Sequence, residues 1–254
     1  MSYFKKLTHP ELFQGHLKKK KYFEGWYYKL VSSDHLHTLA FIPGISLNPS
    51  DPHAFIQVFV SSKINDENQL KTRYIRYPID SFQAHQNPFF ISIGHSSFSK
   101  KSIHIDIQDE TFKIHGDIDL VDLVSLKKTL WSPNIMGPFG YLNFMECYHG
   151  IVSMNHFCDG KLTLDNESII FNHSKGYIEK DWGKSFPRAY VWIQSNHFSD
   201  EKTSLLFSYA DIPFLGFYFR GLIINLVYKQ KEFRFSTYNF AKVKKEIIHE
   251  HEVI

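Results

Sequence analysis

Short runs in which apolar and polar residues alternate, separated by turn-forming clusters, recur along most of the chain. The stretch Tyr22-Phe23-Glu24-Gly25-Trp26-Tyr27-Tyr28-Lys29-Leu30 is the densest of them. Extended, it places Tyr22, Glu24, Trp26, Tyr28 and Leu30 on one face, because neighbouring side chains of a strand point to opposite sides. Strands are predicted over 37–45, 55–61, 71–77, 89–93, 102–108 and 111–117, divided by Ser-Asp, Asn-Pro-Ser-Asp-Pro and Asn-Asp-Glu-Asn clusters. Ile103, Ile105 and Ile107 alternate with His104 and Asp106, the mark of a half-buried strand. The best helix candidate is short, residues 120–130. This spacing predicts an antiparallel all-β fold and favours barrels over α/β layers. Residues 130–140 (Leu-Trp-Ser-Pro-Asn-Ile-Met-Gly-Pro-Phe-Gly) break the rhythm with two prolines and two glycines among large apolar groups. Such a connection is expected to pack over a core or an opening, or to serve as a lid or a peripheral membrane contact.

The pattern also repeats. Trp26 is followed by Ser33-Asp34, Leu39 and Phe41, and Trp192 is followed at the same offsets by Ser199-Asp200, Leu205 and Phe207. A proline comes soon after each copy, Pro43 and Pro213. Two similar strand-turn-strand units are therefore expected, the second with little chain left to extend it.

Composition narrows the class. Apolar residues make up 43% and charged residues 22% of 254, enough to build a sizeable core. Aromatic residues at 17% reinforce the strand reading. A net charge of +3 is too mild for nucleic acid to be the partner. No apolar signal segment opens the chain, and Arg220 and Asn225 interrupt its most apolar run, 212–228. A cytoplasmic protein without a transmembrane segment, its Cys147 and Cys158 free thiols, is the expectation.

No G-x-S-x-G elbow, H-E-x-x-H helix, phosphate loop or dinucleotide fingerprint is present, and no metal is expected. His35-x-His37 and His249-x-His251 could each place two imidazoles on one strand face, but neither has a third ligand nearby. Glu24 on its aromatic wall is either one half of a structural ion pair or a chemical group. In Met145-Glu146-Cys147-Tyr148-His149-Gly150, a straight strand puts Glu146, Tyr148 and Met154 on one face and Cys147, His149 and Ile151 on the other. Glu146 and His149 then meet only if a bulge or Gly150 rotates the chain. In Tyr177-Ile178-Glu179-Lys180-Asp181-Trp182, Glu179 and Asp181 share a face. They either clasp two units together or form a carboxylate pair whose pKa values are pushed apart.

Four motifs together, Tyr-Phe-Glu-Gly-Trp-Tyr-Tyr-Lys at 22–29, Met-Gly-Pro-Phe at 136–139, Met-Glu-Cys-Tyr-His-Gly at 145–150 and Glu-Lys-Asp-Trp-Gly-Lys-Ser-Phe-Pro at 179–187, resemble the tocopherol cyclase family. The resemblance implies two consecutive antiparallel lipocalin-like β-barrels, related to carotenoid hydratases and lipocalin-type cyclases. We place the first at 1–175, with the aromatic loop inserted, and the second, open or truncated, at 176–254. It further implies cofactor-independent, acid-assisted cyclisation of a prenylated phenol, quinol or similar hydrophobic polyene. The alternative is a non-catalytic carrier of a hydrophobic small molecule. On chemical grounds Glu24, Glu146, Glu179 and Asp181 are the candidate acids and His149 the candidate base. Trp26, Tyr28, Tyr148, Trp182 and Trp192 form the candidate substrate-binding aromatic wall.

Overall fold

The computed structural model describes every residue except 1, 2, 18–20, 65, 66, 215, 250, 251 and 254. Eleven strands form one antiparallel sheet: β1 (Phe23–Val31), β2 (His37–Asn48), β3 (Asp51–Ile64), β4 (Glu67–Tyr77), β5 (Phe82–Gln86), β6 (Phe89–Ile93), β7 (Ser96–Ser99), β8 (Ser102–Gln108), β9 (Lys113–Val121), β10 (Cys147–Leu164) and β11 (Glu167–Gly183). Their spatial order is β4-β3-β2-β1-β11-β10-β9-β8-β7-β6-β5. The two edges, β4 and β5, are consecutive in the chain and joined by one 3-10 turn, Ile79–Ser81. A link of about five residues reaches at most ~17 Å, so the sheet must curl until its edges approach. The result is a half-barrel whose edges do not hydrogen-bond.

Its inner face is filled by the residues the alternation marked. Trp26, Leu30, Leu39, Phe41, Ile103, Ile105 and Ile178 are buried in one cluster. Four more strands, β12 (Tyr190–Ser195), β13 (Ser204–Phe214), β14 (Phe217–Tyr228) and β15 (Lys231–Ser236), form a second antiparallel sheet. It meets the outer face of β10 and β11, and Ile151, Met154 and Tyr177 pack with Leu206 and Val227 in a second core.

Two closed barrels are therefore not what the chain builds. β11 pairs with β1 and β10 on its two sides, from Lys175 to Gly183 with β1, so the expected boundary at 175/176 falls inside a strand of the large sheet. The remaining chain supplies a four-stranded open sheet. Both repeated hairpins form, but in different registers. Phe41 pairs with Tyr28, two residues after its tryptophan, whereas Phe207 pairs with Ile193, one residue after Trp192. A one-residue shift exchanges the faces. Leu39 and Phe41 are fully buried in the first copy, while in the second the buried position is Leu206 between them.

Residues 120–130 are not helical. Leu120 and Val121 complete β9, and Val124 then exchanges backbone hydrogen bonds with β10, donating to Asn155 O and accepting from Met154 N. Backbone groups satisfied by a neighbouring strand leave nothing for a helix to gain. The 130–140 loop is packed. Ile135 and Met136 join the second core, the Tyr238 hydroxyl donates to Ile135 O (2.8 Å), and Leu130 and Trp131 project into solvent. Among the described residues no helix is long and apolar enough to cross a membrane, and no group of three potential ligands is placed to hold a metal. His251, one half of the His249-x-His251 pair, lies outside the described residues.

Candidate active site

β1 and β11 lie side by side, Glu24 opposite Trp182 and Tyr27 opposite Glu179. Alternation along both strands sorts the candidate residues onto two faces. Glu24, Trp26, Tyr28, Lys180 and Trp182 turn into the half-barrel, whereas Tyr27, Lys29, Tyr177, Glu179 and Asp181 turn out toward the small sheet.

On the inner face Glu24 and Lys180, both fully buried, form an ion pair. The carboxylate also accepts from Tyr22 Oη (2.5 Å), Gln14 N (2.8 Å) and Gly15 N (3.0 Å). The Lys180 ammonium donates to Pro10 O (2.9 Å) and Leu12 O (2.5 Å) and lies between the rings of Trp26 (4.5 Å) and Trp182 (4.8 Å). Burial lowers the amine to about 8 against the opposing pull of Glu24. Trp26 Nε1 donates to Glu11 O (2.7 Å). The pair therefore fastens residues 10–15 over the end of the half-barrel, with its hydrogen-bonding capacity met by protein groups. A charge in that position is structural. Tyr28, whose hydroxyl donates to Ser99 O (3.2 Å), belongs to the same packed interior.

On the outer face His149, opposite Asp181 in register, is bracketed by two carboxylates. Its Nδ1 is 2.8 Å from Asp181 Oδ1 and its Nε2 3.6 Å from Glu179 Oε2. No hydrogen bond satisfies Nε2. Glu179 Oε2 accepts from Tyr177 Oη (2.6 Å) and Trp192 Nε1 (3.1 Å). Tyr27 meets Trp192 edge-on at 5.5 Å and Tyr177 at 6.4 Å, so the carboxyl group has an aromatic surround. Burial is the main reason the Glu179 carboxyl rises to about 7, with the His149 charge pulling it down. Burial alone would lower His149, but the charge and hydrogen bond of Asp181, joined by the charge of Glu179, raise it to about 9. Near neutrality the imidazole is thus held as a cation. In that state the imidazole can donate a proton and holds the two carboxylates electrostatically; to act as the base expected from the sequence it would first have to lose its proton.

The other candidates lie apart from this cluster. Glu146 precedes β10 and accepts from Ser185 Oγ (2.8 Å). Bulges between Ile151 and Ser153 and between Ser153 and His156 bring Met154 into the second core with Ile151, so the straight-strand assignment of those two to opposite faces does not hold. Tyr148 stacks on Trp182 at 5.4 Å, and both line a cleft of about 180 Å³ with Met145, Leu142 and Lys184. Of the five proposed aromatic-wall residues, only Trp192 touches the carboxylate–imidazole cluster. Sequence reasoning passed over Tyr27 and Lys29. Their signal was available: they occupy the opposite phase of the alternation that selected Glu24, Trp26 and Tyr28.

Fold and site define a curled β-sheet of lipocalin-like type with a protonatable carboxylate–imidazole cluster at the seam between two sheets. Residues 132–239 match the family model described as tocopherol cyclase-like, and the match contains His149, Tyr177, Glu179, Asp181 and Trp192 but not Glu24. Two curated relatives are similar over short segments. The "Probable tocopherol cyclase, chloroplastic" of Oryza sativa subsp. japonica is 36% identical over 56 residues, and the "Tocopherol cyclase, chloroplastic" of Zea mays is 36% identical over 55. Each alignment covers 22% of this chain and 12% of the plant protein. Among solved structures, a "putative AttH" of Nitrosomonas europaea shares the fold with a TM-score of 0.55 at 12% identity, over 84% of this chain and 68% of that one. CghA with Sch210972 gives 0.52 at 9% identity, over 82% and 58%.

Proposed function

We propose that the protein is a cofactor-independent cyclase that closes a ring in a prenylated phenol, quinol or similar hydrophobic polyene. The observation that carries this reading is a carboxyl group, Glu179, held near its protonation midpoint between aromatic rings and beside an imidazolium. Adding a phenol oxygen across a trisubstituted alkene requires an acid that is still protonated near neutral pH. It also requires a water-poor surround for the tertiary cation. Glu179 gives its proton to one alkene carbon, and the cation develops on the other. The faces of Tyr27, Tyr177 and Trp192 stabilise it by about 0.5–2 kcal/mol each when water is excluded. The phenol oxygen then bonds to the cationic carbon and loses its proton. Atoms and electrons balance as an isomerisation. Asp181 holds His149 by its Nδ1, leaving Nε2 to face Glu179 at 3.6 Å as an electrostatic partner.

The names of the two plant relatives support the reaction class. Neither the 180 Å³ cleft beside Met145 and Tyr148 nor a larger cavity of about 670 Å³ bordered by His37, Val60 and Leu164 is lined by Glu179, so this reading requires the seam between the sheets to open to a substrate. The carrier reading would use that larger cavity and has less support because it leaves the carboxylate–imidazole cluster without a task. A peripheral membrane contact, if made, would use the exposed Leu130 and Trp131.

The test is incubation with a prenylated hydroquinone between pH 5 and 8, following a product of unchanged mass that has lost its alkene signal. The wild type is expected to form it and Glu179→Gln not. A wild type that binds the quinol without converting it at any pH is a carrier, and the cyclase reading fails.

A further inference from the structure

With His149 held as a cation and the Asp181 carboxylate engaged by its Nδ1 (2.8 Å), a further group is needed to take the phenol proton. We propose that Lys29 is that base, removing the phenol proton as the oxygen attacks; the proposal rests on the cyclase reading of the same site. Lys29 lies on the outer face of β1, two residues beyond Tyr27, which stands opposite Glu179. Diagonal neighbours on one sheet face are separated by about 7–8 Å. That distance accommodates an acid and a base each about 3 Å from its reacting atom, with the closing ring between them.

The amine is fixed at the seam itself. Lys29 Nζ donates to Gln194 Oε1 (2.7 Å) and toward Gln194 O (3.5 Å), both on β12 of the small sheet. Among the described residues no carboxylate lies within ion-pair distance of it. The titratable groups that face this region are Tyr27 on β1, Lys175, Tyr177, Glu179 and Asp181 on β11, His149 on β10, His35 in the turn before β2 and His197 just after β12. Burial lowers the Lys29 amine to about 8, with the charge of Glu179 opposing, and the Lys29 charge in turn helps hold His197 neutral. A lysine in this state is partly unprotonated near neutrality without needing a neighbouring base. After ring closure the proton sits on Lys29 and the deficit on Glu179. Its return between these two groups on one sheet face resets the site with no oxidant, reductant or cofactor.

Wild type, Lys29→Arg, Lys29→Met and Glu179→Gln are compared with a prenylated hydroquinone, each first checked by far-UV circular dichroism and melting temperature. Arginine keeps the cation and can reach Gln194 but does not give up its proton in this pH range. It is therefore expected to lose activity on the order of 10²-fold, as methionine does. With the acid Glu179 near 7 and the base Lys29 near 8, the wild-type kcat is expected to follow a bell with its maximum between those values, and the arginine variant to lack the ascending limb. An arginine variant within threefold of wild type overturns the base assignment and leaves the cyclase reading standing. A wild type inert at every pH overturns both. Independently of turnover, 13C-labelled lysine should show two Cε resonances that titrate near 8, those of Lys29 and Lys180, of which Lys29→Arg removes one. Titration of that one near the free-lysine value of about 10.4 also overturns the assignment.

Discussion

Glu24 and Glu179 lie on adjacent strands, both buried and both close to tryptophan and tyrosine rings, yet their surroundings prepare them for different work. Glu24 meets a lysine, a tyrosine hydroxyl and two backbone N–H groups, which together stabilise the anion. Glu179 meets two neutral donors and an imidazolium too long for a hydrogen bond, and burial keeps it protonatable. A carboxylate among aromatic rings is therefore not by itself an acid. The number of charged and N–H donors aimed at it decides whether it is a rivet or a reagent.

The largest expected effect breaks the rivet. Glu24→Gln or Lys180→Met each leaves an uncompensated buried charge and should destabilise the fold by about 3–5 kcal/mol in urea unfolding. The double variant should lose clearly less than the sum. Strictly additive losses would mean that the two charges do not act as a pair. Glu179→Gln should cost far less stability than Glu24→Gln, because burial already disfavours the ionised form of Glu179 in the folded state. It should still remove activity on the order of 10²-fold.

A pH series sharpens the contrast further. Glu179 and His149 both have folded pKa values above their ordinary ones, about 7 against 4.5 and about 9 against 6.5. The folded state therefore binds more protons than the unfolded one. Their stabilising contribution is complete below those ordinary values. It falls as pH rises, through about 4.5 to 7 for Glu179 and 6.5 to 9 for His149. Asp181→Asn removes the charge that raises His149 and should flatten the upper part of this decline, read as the urea midpoint between pH 5 and 9.5. A midpoint that does not change across that range for the wild type contradicts the outer-face electrostatics. The smallest effect is that of Trp192→Phe, which deletes one donor to Glu179 and should cost about 0.5–1.5 kcal/mol. In an NMR titration it should move the Glu179 carboxyl further upward.

Much of the large sheet was legible in the chain. β8 alternates buried and exposed residues as its isoleucines predicted, and β2, β3, β4, β6 and β9 overlap the predicted runs. The family resemblance, carried by short motifs, agrees with the tocopherol cyclase-like match over 132–239. The helix at 120–130 was misread because its apolar residues satisfy a strand contact with β10, which local spacing does not encode. The repeat at Trp192 was recognised, but its one-residue shift in pairing could not be, since register is set by the partner strand and the surface to be buried. The site was half visible. Glu179, Asp181, His149 and Trp192 were named from their residue types. Glu24, Trp26 and Tyr28 were grouped with them because nothing local says which side of a strand faces which sheet.

The sequence by itself determined that strands dominate, where most of their turns fall, and which residues of each strand share a face, because those properties depend on steric periodicity and turn chemistry a few residues long. Only the tertiary structure decided which face became an interior and which a seam. β1 and β11 pair across some 150 residues of chain, and that pairing brings Lys180 to Glu24 on one side. On the other it gathers Tyr27, Lys29 and Glu179 with His149 beneath the small sheet. The charge state of each carboxyl follows from those long-range neighbours, through burial and through the donors that reach it.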